Sequence, residues 1–247
     1  MEKLVSLAKR RGFVFQGSEI YGGLNGTWDL GPLGVLLARN IKEEWWKSVV
    51  QRRDDVVGLD STILHHPKVW EASGHIKNFT DPLVECKDCH SIIRVDHMPE
   101  EGKCPNCGKK NFTKAKDFNL MFKTFIGPTE EDSDVVYLRP ETAQGIFINF
   151  DNVMQSSRVK LPFGIAQIGK GFRNEITTGN FLFRVREFEM MELEYFVKPG
   201  TEKKSHEYWQ KERLNWFLNL GIKKENIKLI QLPKEDLAHY SKGTAEI

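Results

Sequence analysis

A chain of 247 residues and 28.5 kDa is long enough for one large domain or two modest ones with a proper core. Its 40% hydrophobic and 28% charged residues describe an ordinary soluble protein, and a net charge of +2 gives no general electrostatic case for nucleic acid, although a local basic face stays open. No run approaches a membrane span and Met1–Ser6 carries no apolar signal core, so no membrane partner and a cytoplasmic location are expected.

Residues 3–11 suggest a short helix, followed by a glycine-rich passage from Gly12 to Gly34. Pro32 then opens a strong helix. Leu33, Leu37, Ile41, Trp45 and Val49 recur at i+4, and Leu36, Trp46 and Val50 widen the stripe. So broad a stripe suits burial on two sides, as at a subunit interface, and also suits an ordinary buried helix. His65-His66 beside Pro67 invites a metal reading, but no third ligand stands at a recognisable spacing; His75 is similarly undistinguished.

From about Asp81 to Phe112 the composition turns polar, and all four cysteines of the chain fall here in two close pairs, Cys86/Cys89 and Cys104/Cys107. Two such pairs across a loop can bring four thiolates to the corners of a tetrahedron, which Zn²⁺ accepts. Pro105 and Gly108 give the second pair the look of a tight knuckle. His90 is a substitute ligand if one cysteine proves too distant. With no spare ligand such a site is structural, and reduced cysteines at metal spacing fit the cytoplasm.

Val135–Leu138 reads as a strand, followed by Arg139-Pro140-Glu141-Thr142-Ala143-Gln144-Gly145 and a helix through Phe150. Two extended runs, Phe163–Ile176 and Phe181–Phe196, are joined by Thr177–Asn180, which has hairpin chemistry. Strand alternation puts Gln167, Arg173 and Glu175 on one face of the first run, opposite Ile168, Phe172 and Ile176. On the second it groups Arg184, Arg186, Phe188, Glu192 and Glu194 against Val185, Met191, Leu193 and Tyr195. Arginines, carboxylates and a ring on one side suit a ligand with anionic, cationic and planar parts. A cross-strand salt-bridge ladder on a solvated face has the same pattern, and the residues alone leave both open. Lys203–Leu220 is helical, with Trp209, Trp216 and Leu220 on one face and Gly221 as the stop; Ile227–Leu232 is a short strand.

Gly169–Glu175 with Phe183–Glu192 resembles motif 2 of class II aminoacyl-tRNA synthetases. Arg139–Gly145, Leu161–Gly164 and Trp28–Pro32 narrow the resemblance to glycyl-tRNA synthetases of the homodimeric kind, over essentially the whole chain. The resemblance implies an α+β protein: a class II synthetase-type antiparallel sheet flanked by helices, with an inserted zinc-knuckle subdomain. Residues 1–80 would hold the motif 1 helix, 81–115 the insertion, and 116–247 the catalytic core with motif 2. It also implies glycine, ATP and tRNA(Gly) as substrates, Mg²⁺ and structural Zn²⁺, and a homodimer.

By the same resemblance Arg173 is the catalytic arginine that grips the α-phosphate of ATP and the substrate carboxylate. Glu175 holds the adenine amino group and Phe188 stacks on the base. Asn174, Phe183, Arg184, Val185, Arg186 and Glu187 complete the ATP-binding stretch. Glu141 and Glu192 receive the glycine ammonium, Arg94 helps enclose the amino acid, and Phe188, Glu189, Met190 and Met191 border it. Thr177–Asn180 approaches the acceptor end of tRNA. Family members continue past the segment matching 239–247 to supply motif 3, with a second ATP-binding arginine, and an anticodon-binding domain. The chain therefore looks like an N-terminal portion, with little activity expected of it alone. The bridge between the knuckles, Met98–Gly102, is also short for the family. Two other readings remain: a catalytically silent synthetase-like binding or assembly protein, and a zinc-knuckle nucleic-acid module without chemistry.

Overall fold

The computed structural model describes residues 1–99, 101–131, 134–179, 181–238 and 240–247. Helix α1 (Glu2–Arg10) is followed by a hairpin of β1 (Val14–Gln16) and β2 (Trp28–Leu30), the helix α2 (Pro32–Trp46), and the short strands β3 (Val56–Gly58) and β4 (Leu64–His65). Two short helices, α3 (Pro67–Ala72) and α4 (His75–Asn78), lead to β5 (Thr80–Glu85), β6 (Ile92–Arg94) and β7 (Lys116–Asn119). Strands β8 (Lys123–Phe125) and β9 (Val135–Leu138) precede α5 (Ala143–Ile148) and α6 (Phe150–Ser157). The long pair β10 (Phe163–Phe172) and β11 (Glu187–Phe196) follows, then α7 (Glu202–Asn219), β12 (Ile230–Gln231) and β13 (Ala245–Glu246). The fold is α+β, with mainly antiparallel sheets and flanking helices.

The sheet that organises the molecule has the order β11-β10-β3, antiparallel between β10 and β11 and parallel between β10 and β3. One face packs on α2 and α7, where Trp45, Val49, Val56, Ala166 and Trp216 form a buried cluster joined by Ile168, Met191 and Tyr195. The opposite face meets α5 and α6 at one end, through Ile146, Val153, Phe163 and Ile165. Toward the other end of β10 and β11 that second face carries polar groups, because glycines replace bulk there. Gly171 lies opposite Phe188, and a Cβ on it would stand 2.9 Å from the Phe188 ring, so only glycine lets the ring lie across β10.

Pro32 sits at the first position of α2, where its missing N–H costs nothing. Only glycine fits at 34, since a Cβ there would be 1.9 Å from the Phe13 carbonyl. The hairpin of β1 and β2 thus lies directly on the start of α2. Beyond Trp46 the helix widens into a π turn, Lys47–Gln51. The apolar stripe divides in two: Trp45 and Val49 are buried, while Leu33, Leu36 and Leu37 remain 44%, 57% and 50% exposed.

Several elements differ from the sequence reading. The single helix expected through Phe150 is two, α5 and α6. The expected strand Ile227–Leu232 shrinks to Ile230–Gln231, paired with Ala245–Glu246. Leu220 lies outside the buried face of α7 at 39% exposure, while Gly221 ends that helix at φ +92 as expected. The glycine-rich passage hides a hairpin, because three-residue strands are too short to show alternation. Among the described residues no helix is long and apolar enough to cross a membrane.

The two extended runs of the central hairpin end early. Past Phe172 the chain leaves the ladder because its backbone groups take other partners. Asn174 N–H donates to the Leu120 carbonyl at 2.7 Å and Arg186 N–H to the Gly26 carbonyl at 2.7 Å. Of the expected outer hairpin there remain the bond from Arg173 N–H to the Arg186 carbonyl at 2.9 Å and an isolated bridge between Gly179 and Arg184. Arg173, Glu175, Arg184 and Arg186 are therefore placed by a loop, and strand alternation does not govern them. Asn180, one end of the expected turn, lies outside the described residues, as do Glu100 and His239 of the segments quoted above.

Candidate functional site

Strands β5, β6 and β7 form a small sheet whose tip carries the two cysteine knuckles. The knuckles are built alike. Cys86 N–H donates to Ser91 O and His90 N–H to Cys86 O at 2.9 and 2.8 Å; Cys104 N–H donates to Lys109 O and Gly108 N–H to Cys104 O, both at 2.8 Å. Each turn needs a left-handed residue at its fifth position, supplied by His90 (φ +57) and Gly108 (φ +73). His90 is consumed by that backbone role, and its exposed ring pairs with Glu85 at 2.7 Å, away from the sulfurs. The four Sγ atoms lie within 4.8 Å of one another, with Cys86–Cys107 at 3.5 Å and Cys89–Cys104 at 3.6 Å. A tetrahedral zinc with bonds of about 2.3 Å places its sulfurs about 3.8 Å apart, so this donor set fits the ion.

The second cluster gathers where β10 and β11 meet α5 and the loop after Phe172. In the ladder Gln167 stands opposite Glu192 and Ile165 opposite Glu194, so Phe188, Met190, Glu192 and Glu194 share a face, as alternation predicts. Thr142, fully buried before α5, donates to Glu192 Oε2 through its N–H at 3.1 Å and again through its hydroxyl. Glu141 beside it is held at Oε1 by Gln144 Nε2 (2.7 Å) and His75 Nε2 (3.3 Å), with Arg173 3.9 Å from Oε2. The His75 bond holds the Glu141 carboxyl below its usual range, while burial pushes Glu192 above it. Glu194, half-buried near both, is raised to about 7, first by desolvation and then by the charges of Glu192 and Glu141.

Arg173 lies across this acidic group. Its Nε donates to the Pro140 carbonyl at 3.1 Å, and its guanidinium sits 5.4 Å from the Phe79 ring centre and 5.2 Å from that of Phe188. Glu175 is 7% exposed, and its Oε2 has no hydrogen-bond partner among the described residues; Arg184 Nε is 3.6 Å away. A buried carboxylate oxygen left open in this way is an acceptor waiting for a donor. On β6, Arg94 is locked between Asp81 (2.9 Å) and Asp96 (2.7 Å), within electrostatic reach of Glu175.

Other expected site residues are placed elsewhere. Arg186 is tied to backbone carbonyls, donating from Nε to Glu175 O at 3.2 Å and from a terminal nitrogen to Asn25 O. It staples the loop after Phe172 to the β1–β2 loop. Glu189 and Met191 belong to the other face of β11: Glu189 pairs with Lys42 of α2 at 2.6 Å and Met191 joins the cluster around Trp45. Glu187 pairs with Lys170 on that same face. Strand geometry forbids a run of consecutive residues from facing one ligand, so Phe188, Met190 and Glu192 form one set and Glu187, Glu189 and Met191 another. Phe183 is 81% exposed and Val185 is buried. His66 caps α3, accepting from Lys68 N–H at 3.2 Å, and buried His65 stacks on Trp70, so neither has a metal-site arrangement.

Sequence reasoning missed His75, Phe79, Thr142 and Gln144. Gln144 had a local signal, three residues after Glu141 at a helix start. Nothing in the sequence joins His75 to Glu141. A cavity of about 950 Å³ opens between the β1–β2 hairpin, α2 and the start of β11, lined by Trp28, Leu30, Val35, Lys42 and Val185. It shares only Phe188 with the acidic cluster, so the convergent polar groups locate the site better than volume does.

A profile for the tRNA synthetase class II core domain (G, H, P, S and T) matches residues 121–245. The chain is 57% identical over 251 residues to a glycine–tRNA ligase of Treponema denticola and 55% identical over 263 residues to one of Thermobifida fusca. These matches take in 100% of the chain and 55% and 57% of the relatives, so the chain spans about half their length. A solved structure titled as the RNA binding domain of a threonyl-tRNA synthetase from Cryptosporidium parvum shares the fold, with a TM-score of 0.58 at 19% identity. That likeness covers 95% of this chain and 46% of the other.

Proposed function

The chain belongs to the class II tRNA synthetase core family, and on that premise we propose that it supplies the ATP- and glycine-binding part of a glycine–tRNA ligase. The observation that carries the proposal is the meeting of Glu141, Glu192, Arg173 and Phe188 at one place on the β10–β11 face. Such a site offers carboxylates to an ammonium, a guanidinium to phosphate and carboxylate, and a ring to a base.

The reaction has two steps. A glycine carboxylate oxygen attacks the α-phosphorus of ATP; that bond forms as the bond to the bridging oxygen breaks, and pyrophosphate leaves. A terminal ribose hydroxyl of tRNA(Gly) then attacks the glycyl carbonyl, and AMP leaves with the bonding pair. No side chain need act as nucleophile, because positioning and charge neutralisation suffice. Arg173 bridges the glycine carboxylate and the α-phosphate. Glu141 Oε2 and Glu192 receive the ammonium, and Glu175 Oε2 accepts from the adenine amino group as Phe188 lies under the base. Mg²⁺, held largely by the substrate's phosphates, supplies further neutralisation when bound. Glycine is selected by size, since carboxylates closing on the α-carbon leave no room for a methyl.

Cys86, Cys89, Cys104 and Cys107 would hold a structural zinc that folds the 81–115 insertion, and Arg94 on that insertion helps enclose the amino acid. The exposed Leu33, Leu36 and Leu37 of α2 support a homodimer formed at the motif 1 helix. The enzyme is assigned to the cytoplasm. ATP–pyrophosphate exchange tests the reading, run with this chain alone and joined to the C-terminal half of a relative. Exchange that depends on glycine and ignores alanine and serine is expected of the joined protein, with little from the chain alone. Exchange driven by another amino acid would remove glycine and leave the family intact.

A further inference from the structure

Glu141 is gripped by one oxygen only. Gln144 and His75 both address Oε1, and Oε2 is left toward Arg173. Gln144 is a neighbour in sequence, whereas His75 arrives from α4 and is held in place from several sides. Its ring stands between Trp70 and Phe79, with centroids 5.4 Å away on each side. Asn119 Nδ2 donates to the carbonyls of His75 and Ile76 at 3.1 and 2.9 Å. Ser73 Oγ is 2.9 Å from His75 Nδ1. A carboxylate oxygen can only accept, so the ring carries its proton on Nε2, the atom 3.3 Å from Glu141 Oε1.

We infer that His75 is a positioning residue of the amino-acid pocket, whose Nε2–H holds Glu141 by Oε1 so that Oε2 is presented to the ammonium group of glycine. The ligand in that statement rests on the glycine-activation reading; the hold on Glu141 rests on the geometry alone. Two donors on one oxygen fix the carboxylate's rotamer and favour its ionised form, and the low Glu141 pKa agrees. Asn119 ends β7, the strand returning from the cysteine knuckles, so the folding of that insertion reaches Glu141 through Asn119 and His75.

The test compares His75→Phe, His75→Gln and the unaltered chain by carbon NMR of the Glu141 carboxyl across pH and by calorimetry of glycine and of ATP binding. His75→Phe keeps a ring between Trp70 and Phe79 but deletes the donor; His75→Gln keeps a donor on a flexible stem. In His75→Phe the Glu141 carboxyl should titrate at higher pH and glycine affinity should fall roughly tenfold or more, as for loss of a hydrogen bond to a charged group. ATP affinity should stay within twofold, and His75→Gln should recover part of both losses. An unchanged Glu141 titration overturns the inference. So does unchanged glycine affinity, and so does an equal loss of glycine and ATP binding, which marks a role in folding only. If the unaltered chain binds no glycine, the functional reading fails while the titration still decides whether His75 holds Glu141. Should His75→Phe not fold, nitrogen NMR of the His75 ring in Glu141→Met takes its place: a shifted Nε2 resonance, as its N–H loses the carboxylate acceptor, supports the hold, and an unchanged Nε2 resonance refutes it.

Discussion

Thr142 holds Glu192 twice at the same oxygen, through its backbone N–H at 3.1 Å and through its hydroxyl. Glu192 Oε1 is thereby turned away from Thr142, as Glu141 Oε2 is turned from Gln144 and His75 toward Arg173, and in the proposed site the ammonium group sits between these two oxygens. Thr142→Val deletes the hydroxyl at nearly constant volume and keeps the N–H. It should raise the KM for glycine about tenfold, the scale of one hydrogen bond to a charged group, with little change in the KM for ATP. Glu192→Ala should weaken glycine further and still leave nucleotide stacking on Phe188. Exchange kinetics with each substrate varied in turn check both; a parallel loss for ATP would count against the assignment.

In the proposed reaction Arg173 is the cation common to both substrates. In the chain joined to the C-terminal half of a relative, Arg173→Ala should lower kcat/KM for ATP and for glycine together, because in the proposed reaction one guanidinium serves the reacting phosphate and the carboxylate. Loss of one preorganised charge at a transition state costs about 3–4 kcal/mol, or roughly a few hundredfold in rate. A defect confined to glycine would move Arg173 out of the reaction centre.

The ladder part of the site was legible in the sequence, because period-two alternation fixes which residues share a face: Gln167, Phe188, Glu192 and Glu194 stand as expected. The rest was not. Arg173, Glu175 and Arg186 sit where the backbone bonds to Leu120 and Gly26, partners far along the chain that no local pattern announces. Glu189 and Met191 were drawn in by adjacency to Glu192, against the alternation that sends them to α2. The cysteine spacing marked the knuckles correctly, but not that His90 would supply the left-handed residue that Gly108 supplies in its twin.

Zinc removal gives the third prediction. The purified chain should contain one zinc per chain, released by a strong chelator with loss of structure in the β5–β7 sheet. Cys86→Ser should lower stability by several kcal/mol, because structural zinc binding contributes directly to folding. If the coupling through Asn119 and His75 holds, glycine affinity should fall with it. Four freely titratable thiols and no metal would refute the site.

Glu194 gives a pH dependence of definite sign. Its folded pKa of about 7 lies above the ordinary value of 4.5, so through that window the folded chain keeps a proton that the unfolded chain has lost. Stability should therefore fall as pH rises from about 4.5 to about 7, and level off above it. The shift corresponds to a penalty on the order of 3 kcal/mol once Glu194 is fully ionised. Glu194→Gln removes the ionisation, so it should flatten denaturant midpoints across that range and raise stability at pH 8. An arriving ammonium group favours the charged carboxylate, so glycine binding at pH 6 should release part of a proton in the unaltered chain and less in Glu194→Gln. Calorimetry in two buffers of different ionisation enthalpy measures that release. Equal release from both proteins would place the titrating group elsewhere, with Glu192, itself raised by burial, the next to test.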